Sequence, residues 1–405
     1  MSQEDWAGVV LRWFATTFPV VLVALLVVPF AIQGGTLVPW QPVMPELGTM
    51  IHVAKQMIAG RQVFGPEAST VFGLTPFGAL LVALLALSTP LLWQLLLTVA
   101  SVTALQHLLR RLFGLERGDL VLVGALAVLV VEPVRMTLAV GQVTLLLLLL
   151  VVVDLVEPVR DRRARARFLP QGTLTGIAAG ISLVPLWVCM GLLLAGRRRA
   201  GLISLATAAG CLVVGWIVMP GQSEILLAGG RAGYEYGDAT WVANQSFLAA
   251  LARLGTPQAL AAVLALLLAL AATWAGARWY RSEPALGLGL LLLAAMLPRD
   301  PAWTWQFVGV TVFTAGLWRA RRRIPRPLRL AGWAWAGWVC LGVPQVVLSR
   351  IPAGVEMSVW QAALAGLGPL LGVLVVVAGC ASRAPGARTK SAAAPRRRER
   401  TVNPA

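Results

Sequence analysis

Long apolar runs, separated by short polar or basic segments, recur along the whole chain. The runs lie at roughly 14–32, 72–88, 91–108, 119–132, 142–156, 172–196, 200–219, 257–279, 284–298, 303–318, 328–348 and 359–381. Runs of this kind suit the hydrocarbon thickness of a bilayer, where a helix satisfies its own backbone hydrogen bonds. The alternating pattern of a membrane β-barrel is absent. The sequence therefore predicts an all-α polytopic membrane protein with about 10–12 transmembrane helices.

Composition and charge support this class. Hydrophobic residues make up 58% of the 405 residues and charged residues only 13%, whereas soluble domains are about 25% charged. The net charge is +17, and the arginines cluster at Arg160–Arg167, Arg197–Arg199, Arg319–Arg329 and Arg383–Arg400. These clusters lie at the ends of apolar runs, where the positive-inside rule places cytoplasmic loops. The basic charge therefore indicates a lipid bilayer as partner, and no nucleic acid.

Both chain ends carry recognisable segments. The first apolar run follows the acidic stretch "MSQEDWAG", and no small-residue cleavage site follows it. We therefore expect a retained transmembrane span and not a signal peptide. At the other end, segment 382–405 is rich in Arg, Ala and Pro and predicts a disordered basic cytoplasmic tail. The transmembrane domain is expected to cover 1–381.

One region does not fit a simple up-and-down arrangement. The basic segments 160–167 and 196–201 are separated by a single apolar run, which Pro185 interrupts near its middle. Two half-helices that enter the membrane and return would keep both basic segments on the same side. A single full span with an exception to the charge rule would explain the pattern equally well. Both alternatives stay open at this point.

Four polar stretches stand out between the apolar runs. They are 44–65, 131–150, 240–255 and 297–307. Tracing the orientation back from the basic tail places all four on the face opposite the arginine-rich loops. Polar groups that converge on one face of a membrane protein predict a functional site there.

The second stretch carries a motif that resembles a known family. "PVRMTLAVGQVTLLLLLLVVVDL" is similar to the hallmark of glycosyltransferase family 87, the polyprenol-phosphate-mannose-dependent mannosyltransferases. That hallmark has a proline, then Gly-Gln-Val-Asn opening a leucine-rich span that closes on Asp-Leu. Gly141 and Gln142 match it, Thr144 replaces the asparagine, and Asp154 closes the run. Order and spacing agree with the family from about residue 45 to 310.

Further segments extend the resemblance and also depart from it. "NQSFLAALARL" is similar to the family's Asn-Gln-Ser segment with its following arginine, here Arg253. Ser182 stands where the family usually has a lysine. "LPRDPAWTWQF" keeps a tryptophan, Trp303, but has Trp305 and Gln306 where the family usually has two histidines. Asp300 is a candidate to compensate for them.

The first polar stretch supplies the expected catalytic base. The family usually has Asp-Leu-x-x-Tyr fourteen residues before a glycine in the first outer loop. Glu46 occupies the aspartate position relative to Gly60, and Met50 replaces the aromatic residue. The resemblance therefore implies that Glu46 takes the proton from the acceptor hydroxyl. The structural alternative is an acid that stabilises a helix N-terminus, since Glu46 follows Pro45.

The resemblance also implies a fold, a reaction and partners. The fold is the GT-C bundle of transmembrane helices with a juxtamembrane helix on the outer face. The reaction is single-step inverting transfer of a hexose, mannose above all, from a polyprenyl-phosphate-sugar donor to a glycolipid or polysaccharide acceptor. It would take place on the extracytoplasmic face of the bacterial plasma membrane. We expect no cofactor and no metal.

Polar residues in the four stretches are the candidates for substrate binding. Cations would stabilise the leaving phosphate, and amides would bind sugar hydroxyls. The cations are Lys55, Arg61, Arg253 and Arg299; the other candidates are Gln142, Asn244, Gln245, Asp300 and Trp303. Gln142 could instead be a helix-packing amide, and Arg253 an interfacial arginine.

Two other function classes stay open. A transporter or flippase of lipid-linked sugars would show inverted repeats and charges at the membrane midplane. We see no repeat, and the polar motifs lie at span ends, which favours an enzyme. A catalytically silent member of the same family remains the second alternative, because several motif positions are substituted.

Overall fold

In a computed structural model of the chain, the described residues are 3–33, 36–39, 43–64, 73–159, 169–227, 244–299, 301–348, 357–382 and 384. They form helices α1 (Gln3–Val27), α2 (Pro45–Ile58), α3 (Pro76–Val82), α4 (Pro90–Phe113), α5 (Arg117–Val130), α6 (Glu132–Val140), α7 (Thr144–Leu155), α8 (Thr173–Ile181), α9 (Leu186–Leu194), α10 (Arg198–Val218), α11 (Pro220–Leu227), α12 (Phe247–Arg253), α13 (Gln258–Tyr280), α14 (Pro284–Met296), α15 (Val310–Ala320), α16 (Arg326–Leu341), α17 (Val343–Leu348) and α18 (Val359–Ala381). Strands β1 (Phe30–Gln33) and β2 (Thr36–Pro39) pair antiparallel, with Phe30 opposite Pro39. Short 3-10 helices cover Ala83–Leu87 and Thr304–Gly309.

Several helices are long and apolar enough to cross a bilayer. Among the described residues these are Gly8–Val27, Pro90–Phe113, Arg198–Val218, Gln258–Tyr280 and Val359–Ala381. Helices α5 and α6 together are also long and apolar enough, with a bend of 76° between them. Shorter apolar helices such as α7 and α14 lie between them. The all-α polytopic membrane class is therefore confirmed, while the number of 10–12 spans stays a prediction.

Exposed leucine-rich faces point outward, and apolar clusters fill the interior. One cluster packs α1, α4, α5 and α7 around residues such as Leu105 and Leu145. A second cluster packs α13 to α16 and α18 and contains an edge-to-face contact between Phe313 and Trp335, 5.2 Å between ring centroids. Leu267 on α13 is 58% exposed, as expected for a side chain that faces lipid and not water.

Arginine side chains at one end of the bundle bind the carbonyl ends of neighbouring helices. The bonds run from Arg111 to Val156, from Arg281 to Leu194 and from Arg278 to Cys380. The hydroxyl of Tyr280 donates to the carbonyl of Leu155 at 2.9 Å. The ends of α4, α7, α9, α13 and α18 therefore lie on one face, here called the arginine face. The predicted basic loop 160–167 and most of the predicted tail, 383 and 385–405, lie outside the described residues.

Helices α8 and α9 form a re-entrant hairpin. The first residue before α8, Gly172, lies against Ala200 at the start of α10, and Gly180 near the end of α8 lies against Cys211. α9 then returns, because Leu193 at its end contacts Gly201, again at the start of α10. Each helix has 9 residues, or about 13 Å, roughly half of the hydrocarbon core. The half-helix alternative is confirmed, and the single full span is wrong.

The four polar stretches meet on the face opposite the arginine face, here called the site face. Gly141 contacts Met44, and the hydroxyl of Thr137 donates to the carbonyl of Trp305 at 3.1 Å. Asn244 forms an antiparallel bridge with Trp303. The convergence predicted from the sequence is therefore present in the fold.

Candidate active site

A large cavity opens among the four polar stretches. It encloses roughly 1220 Å³ of space free of protein atoms, counting the part open to solvent. Its polar end is lined by Glu46, Gln142, Arg299, Trp303 and Gln306. Its other end is lined by apolar side chains, among them Leu147, Leu148, Val151 and Leu292. The cavity can therefore hold a molecule with a charged head and a hydrocarbon body.

Glu46 reaches this cavity because α2 docks closely on the junction between α6 and α7. Pro45 begins α2 and Glu46 lies in its first turn. Gly141 has φ +77°, and a Cβ there would lie 2.8 Å from the Cβ atoms of both Leu47 and Met44. Only glycine fits this approach, because real Cβ atoms do not come so close and because the backbone is left-handed. The motif glycine thus sets the position of the acid.

The environment of Glu46 suits a proton acceptor. Burial raises the pKa of its carboxyl from 4.5 to about 7, and the positive charge of Arg299 acts against this rise. The side chain is half-buried and faces the cavity. A carboxyl group with a pKa near neutrality takes up and releases protons near physiological pH, which is what general base catalysis requires.

A pair of stacked tryptophans forms one wall of the polar end. The rings of Trp303 and Trp305 lie 5.5 Å apart with an interplanar angle of 19°. The side chain of Gln306 accepts a hydrogen bond from the backbone N–H of Trp303 at 3.2 Å. The buried indole N–H of Trp305 has no hydrogen-bond partner among the described residues. This wall offers flat aromatic surface and a polar donor to a ligand.

The Asn-Gln-Ser segment holds that wall in place. The side-chain oxygen of Asn244 accepts from the backbone N–H of Ala302 at 3.0 Å, and the N–H of Gln245 donates to the carbonyl of Ala302 at 2.8 Å. Arg253 donates to the carbonyl of Asn244 at 2.6 Å. These contacts position Trp303, and none of the three predicted ligands lines the first cavity. Their binding of sugar or phosphate stays a prediction.

The remaining predicted ligands are placed differently. Lys55 and Arg61 are exposed and do not line the cavity. Lys55 follows Glu46 by nine residues, or about 180° around the helix axis, so it faces away from the acid. Asp300 lies outside the described residues. In the described part of the chain, no three His, Cys, Asp or Glu side chains come together as metal ligands would.

The motif positions that depart from the family pattern also lie in the cavity wall. They are Glu46, Met50, Thr144, Ser182, Trp305 and Gln306. Ser182 belongs to the tip of the re-entrant hairpin, which extends into the cavity together with Val184 and Pro185. The sequence motifs therefore mark positions that the fold brings to one cavity, even where the residue type differs.

Asp154 anchors that re-entrant hairpin and was not identified as a functional residue from the sequence. Its carboxylate accepts hydrogen bonds from the backbone N–H groups of Gly172 and Thr175, at 2.9 and 3.0 Å, and from the hydroxyl of Thr175 at 2.8 Å. These donors are the free amides at the N-terminus of α8, where a carboxylate is favoured. Its partners follow 18 and 21 residues later, so no local motif reveals the bond.

Comparison with known proteins agrees with this geometry. The family model described as glycosyltransferase family 87 matches residues 72–299. The chain is similar to a polyprenol-phosphate-mannose-dependent alpha-(1-2)-phosphatidylinositol pentamannoside mannosyltransferase of Mycobacterium tuberculosis (strain CDC 1551 / Oshkosh), with 28% identity over 74% of this chain and 66% of the relative. The protein of the same description from Mycolicibacterium smegmatis is 28% identical over 75% of this chain and 72% of the relative.

A second group of relatives has a related description. A polyprenol-phosphate-mannose-dependent alpha-(1-2)-phosphatidylinositol mannoside mannosyltransferase of Mycobacterium tuberculosis (strain ATCC 25618 / H37Rv) is 28% identical over 64% of this chain and 60% of the relative. The chain thus aligns with about two thirds of the length of these relatives: 66% and 72% for the first two and 60% for the third. No solved structure matches. Because the family model covers more than half of the residues, the chain belongs to glycosyltransferase family 87.

Proposed function

We propose that the chain is a membrane mannosyltransferase that moves mannose from a polyprenyl-phosphate carrier to a glycolipid of the phosphatidylinositol mannoside class. One observation carries the proposal: a single cavity combines a carboxyl group with a pKa of about 7, a guanidinium group and a hydrocarbon-lined end. The names of the relatives supply the sugar and the two lipids.

Glu46 is the proposed base. As the acceptor oxygen forms its bond to the anomeric carbon, its proton passes to the Glu46 carboxylate. The bond between that carbon and the phosphate oxygen breaks, and its electron pair leaves with the polyprenyl phosphate. Attack from the face opposite the phosphate converts a β-linked donor into an α-linked product. One carboxylate suffices, because phosphate is a good leaving group and needs no general acid.

Arg299 is the proposed partner of the phosphate. It is the cation among the described residues that lines the polar end of the cavity. A guanidinium group held in a cavity of low dielectric stabilises negative charge that develops on a leaving group. Gln142 and Trp303, in the same wall, would bind and orient the sugar. Leu147 and Val151 would contact the isoprenoid carrier.

The proposed orientation follows from the arginine face. Clusters of arginine favour the cytoplasmic side, so the site face would be extracytoplasmic, in a bacterial plasma membrane. Sealed membrane vesicles of known orientation test this. Transfer to an acceptor added outside is expected from right-side-out vesicles, and transfer only from inverted vesicles would contradict the orientation.

A catalytically silent member of the family is the second candidate. It is favoured by the fact that the substituted motif positions, among them Thr144, Ser182 and Gln306, all line the cavity. The deciding experiment supplies membranes containing the chain with radiolabelled polyprenyl-phosphate-mannose and phosphatidylinositol mannosides. An α-mannosidase-sensitive glycolipid that is absent from control membranes supports the enzyme. Donor-binding without any labelled product would support the silent member.

A further inference from the structure

A second, smaller cavity lies beside the first on the site face. It encloses roughly 480 Å³ and shares Met296, Phe307 and Trp335 with the wall of the first cavity. Its other walls come from α12, α16, α17 and α18. A ligand in this cavity would therefore lie next to the proposed reaction centre.

Several buried polar groups that line this cavity have no hydrogen-bond partner in the part of the chain that the structure describes. Gln345 is only 9% exposed, and neither its amide nitrogen nor its amide oxygen has a hydrogen-bond partner among the described residues. The same holds for the indole N–H of Trp338. Leaving such a group buried and unpaired costs about 1–3 kcal/mol, so native proteins rarely keep several together without a use.

The helix opposite these groups leaves room for them. α18 presents Gly368, Pro369 and Gly372 to the cavity. A Cβ at Gly368 would lie 2.9 Å from the side-chain oxygen of Gln245 and 3.1 Å from the indole nitrogen of Trp338. The glycine therefore allows both polar groups to approach the backbone of α18. The polar cluster is built from three separate segments of the chain.

The chemistry of the lining selects the class of ligand. Among the described residues, the lining includes amides, indoles, Thr304 and apolar side chains, but no ionisable group. This differs from the first cavity, where Glu46 and Arg299 face a charged leaving group. An amide offers two donors and an acceptor at fixed geometry, and an aromatic face packs against the C–H groups of a sugar ring. The combination suits a neutral ring that carries hydroxyl groups.

We propose that this second cavity is the subsite for a sugar ring of the acceptor, bound through the amide of Gln345 and the indole N–H of Trp338. The inference rests on the proposed function, because it assumes an acceptor whose hydroxyl reaches Glu46. A hydrocarbon chain would leave the amide of Gln345 unpaired. Water could satisfy it, and the test separates water from sugar.

The test measures binding of tritiated octyl α-mannoside to the purified chain in phosphatidylcholine nanodiscs, with empty nanodiscs subtracted. Gln345→Leu removes the polar atoms at similar volume, and Trp338→Phe removes the indole N–H together with part of the ring. We expect each to weaken binding about five- to tenfold, as loss of one or two hydrogen bonds implies. Trp333→Phe is the matched control, because Trp333 lies on the same helix but is 41% exposed; its affinity should equal that of the wild type.

Melting temperature and mannose transfer are measured separately from mannoside binding. Gln345→Leu should melt at or above the wild-type temperature, since it removes a buried amide that has no hydrogen-bond partner among the described residues. Trp338→Phe should melt slightly lower, because it also removes packed ring atoms. Unchanged mannoside affinity in both variants, or no binding to the wild type, would overturn the subsite. Binding that depends on Gln345 in a wild type that transfers no mannose would overturn the proposed function and leave the subsite standing.

Discussion

Burial in the cavity raises the pKa of Glu46, and the positive charge of Arg299 lowers it by a smaller amount, so the carboxyl group titrates at about 7. The two residues belong to different polar stretches, one at the start of α2 and one after the end of α14. Their approach depends on the close docking of α2 on Gly141 and on the contacts of Asn244 with the segment that follows Arg299.

The pH dependence of transfer follows from this relationship. The base must be ionised, so kcat/KM should rise with pH through about 7 and then level off. Arg299→Gln removes the charge that lowers the pKa of Glu46, and should therefore move this limb to higher pH and slow transfer. Lys55→Gln, on the opposite side of α2, should leave the limb in place. A profile that is flat between pH 5 and 9 would contradict the prediction.

The same ionisation of Glu46 that activates transfer should lower the thermal stability of the protein. The pKa of Glu46 in the folded state, about 7, lies above the ordinary value of 4.5 that the carboxyl group has in the unfolded chain. The stability that comes from a neutral Glu46 is therefore fully present below pH 4.5 and is lost as the pH rises through about 7. The side chain in Glu46→Gln stays neutral at every pH. At pH 8 the variant should therefore melt at a higher temperature than the wild type, with a free energy of unfolding larger by up to about 3 kcal/mol. At pH 4.5 the two proteins should melt at the same temperature. A melting temperature below that of the wild type at pH 8 would refute this.

The sequence predicted which stretches of the chain converge, but not which of the candidate side chains line the cavity. The apolar runs and basic clusters were enough to place the four polar stretches on one face, and Pro185 marked the break in the re-entrant hairpin. The charge of Lys55 makes it a candidate for binding phosphate, but its position on α2, about 180° around the helix axis from Glu46, turns it away from that acid. Asn244 pairs with Trp303, and Arg253 donates to the carbonyl of Asn244; no local pattern shows these contacts, and the binding of sugar or phosphate by the two side chains stays a prediction.

Other features depend on contacts that no local pattern contains. Gln345 and Trp338 lie in an apolar run without a motif, and only the packing of α18 against α16 creates a cavity beside them. Asp154 closes a recognised motif, but its partners at the start of α8 follow after a loop. Long-range packing decides these roles, and the sequence alone does not reveal it.

Substituting the motif glycine should displace the catalytic acid. Gly141→Ala adds a Cβ 2.8 Å from atoms of Leu47 and Met44 at a left-handed residue. If α2 moves by about 1 Å in response, the rate should fall on the order of a hundredfold. Gly60→Ala is the matched control, because Gly60 has φ +68° but nothing within 4 Å of an added Cβ. Transfer rates measured side by side check this, and an equal loss in both variants would mean that backbone strain alone is responsible.

Removing the anchor of the re-entrant hairpin should weaken the fold around the cavity. Asp154→Asn replaces an acceptor oxygen by an amide group that faces the N–H groups of Gly172 and Thr175. We expect a loss of roughly 2 kcal/mol or more, since hydrogen bonds to a charged group are the strong ones. Thermal melting in detergent measures it. Asp119→Asn, at the exposed start of α5, should change the melting temperature little; equal effects of the two substitutions would argue against the anchor.

The central claim is that Glu46 accepts the proton of the acceptor in the first cavity. Single-turnover transfer of radiolabelled mannose from polyprenyl-phosphate-mannose, compared between the wild type and Glu46→Gln at pH 8, tests it most directly. Glutamine has nearly the size and shape of glutamate but cannot act as the base. The rate should therefore fall by about 10²- to 10⁴-fold, while donor binding persists. Transfer by Glu46→Gln at the wild-type rate would contradict the account.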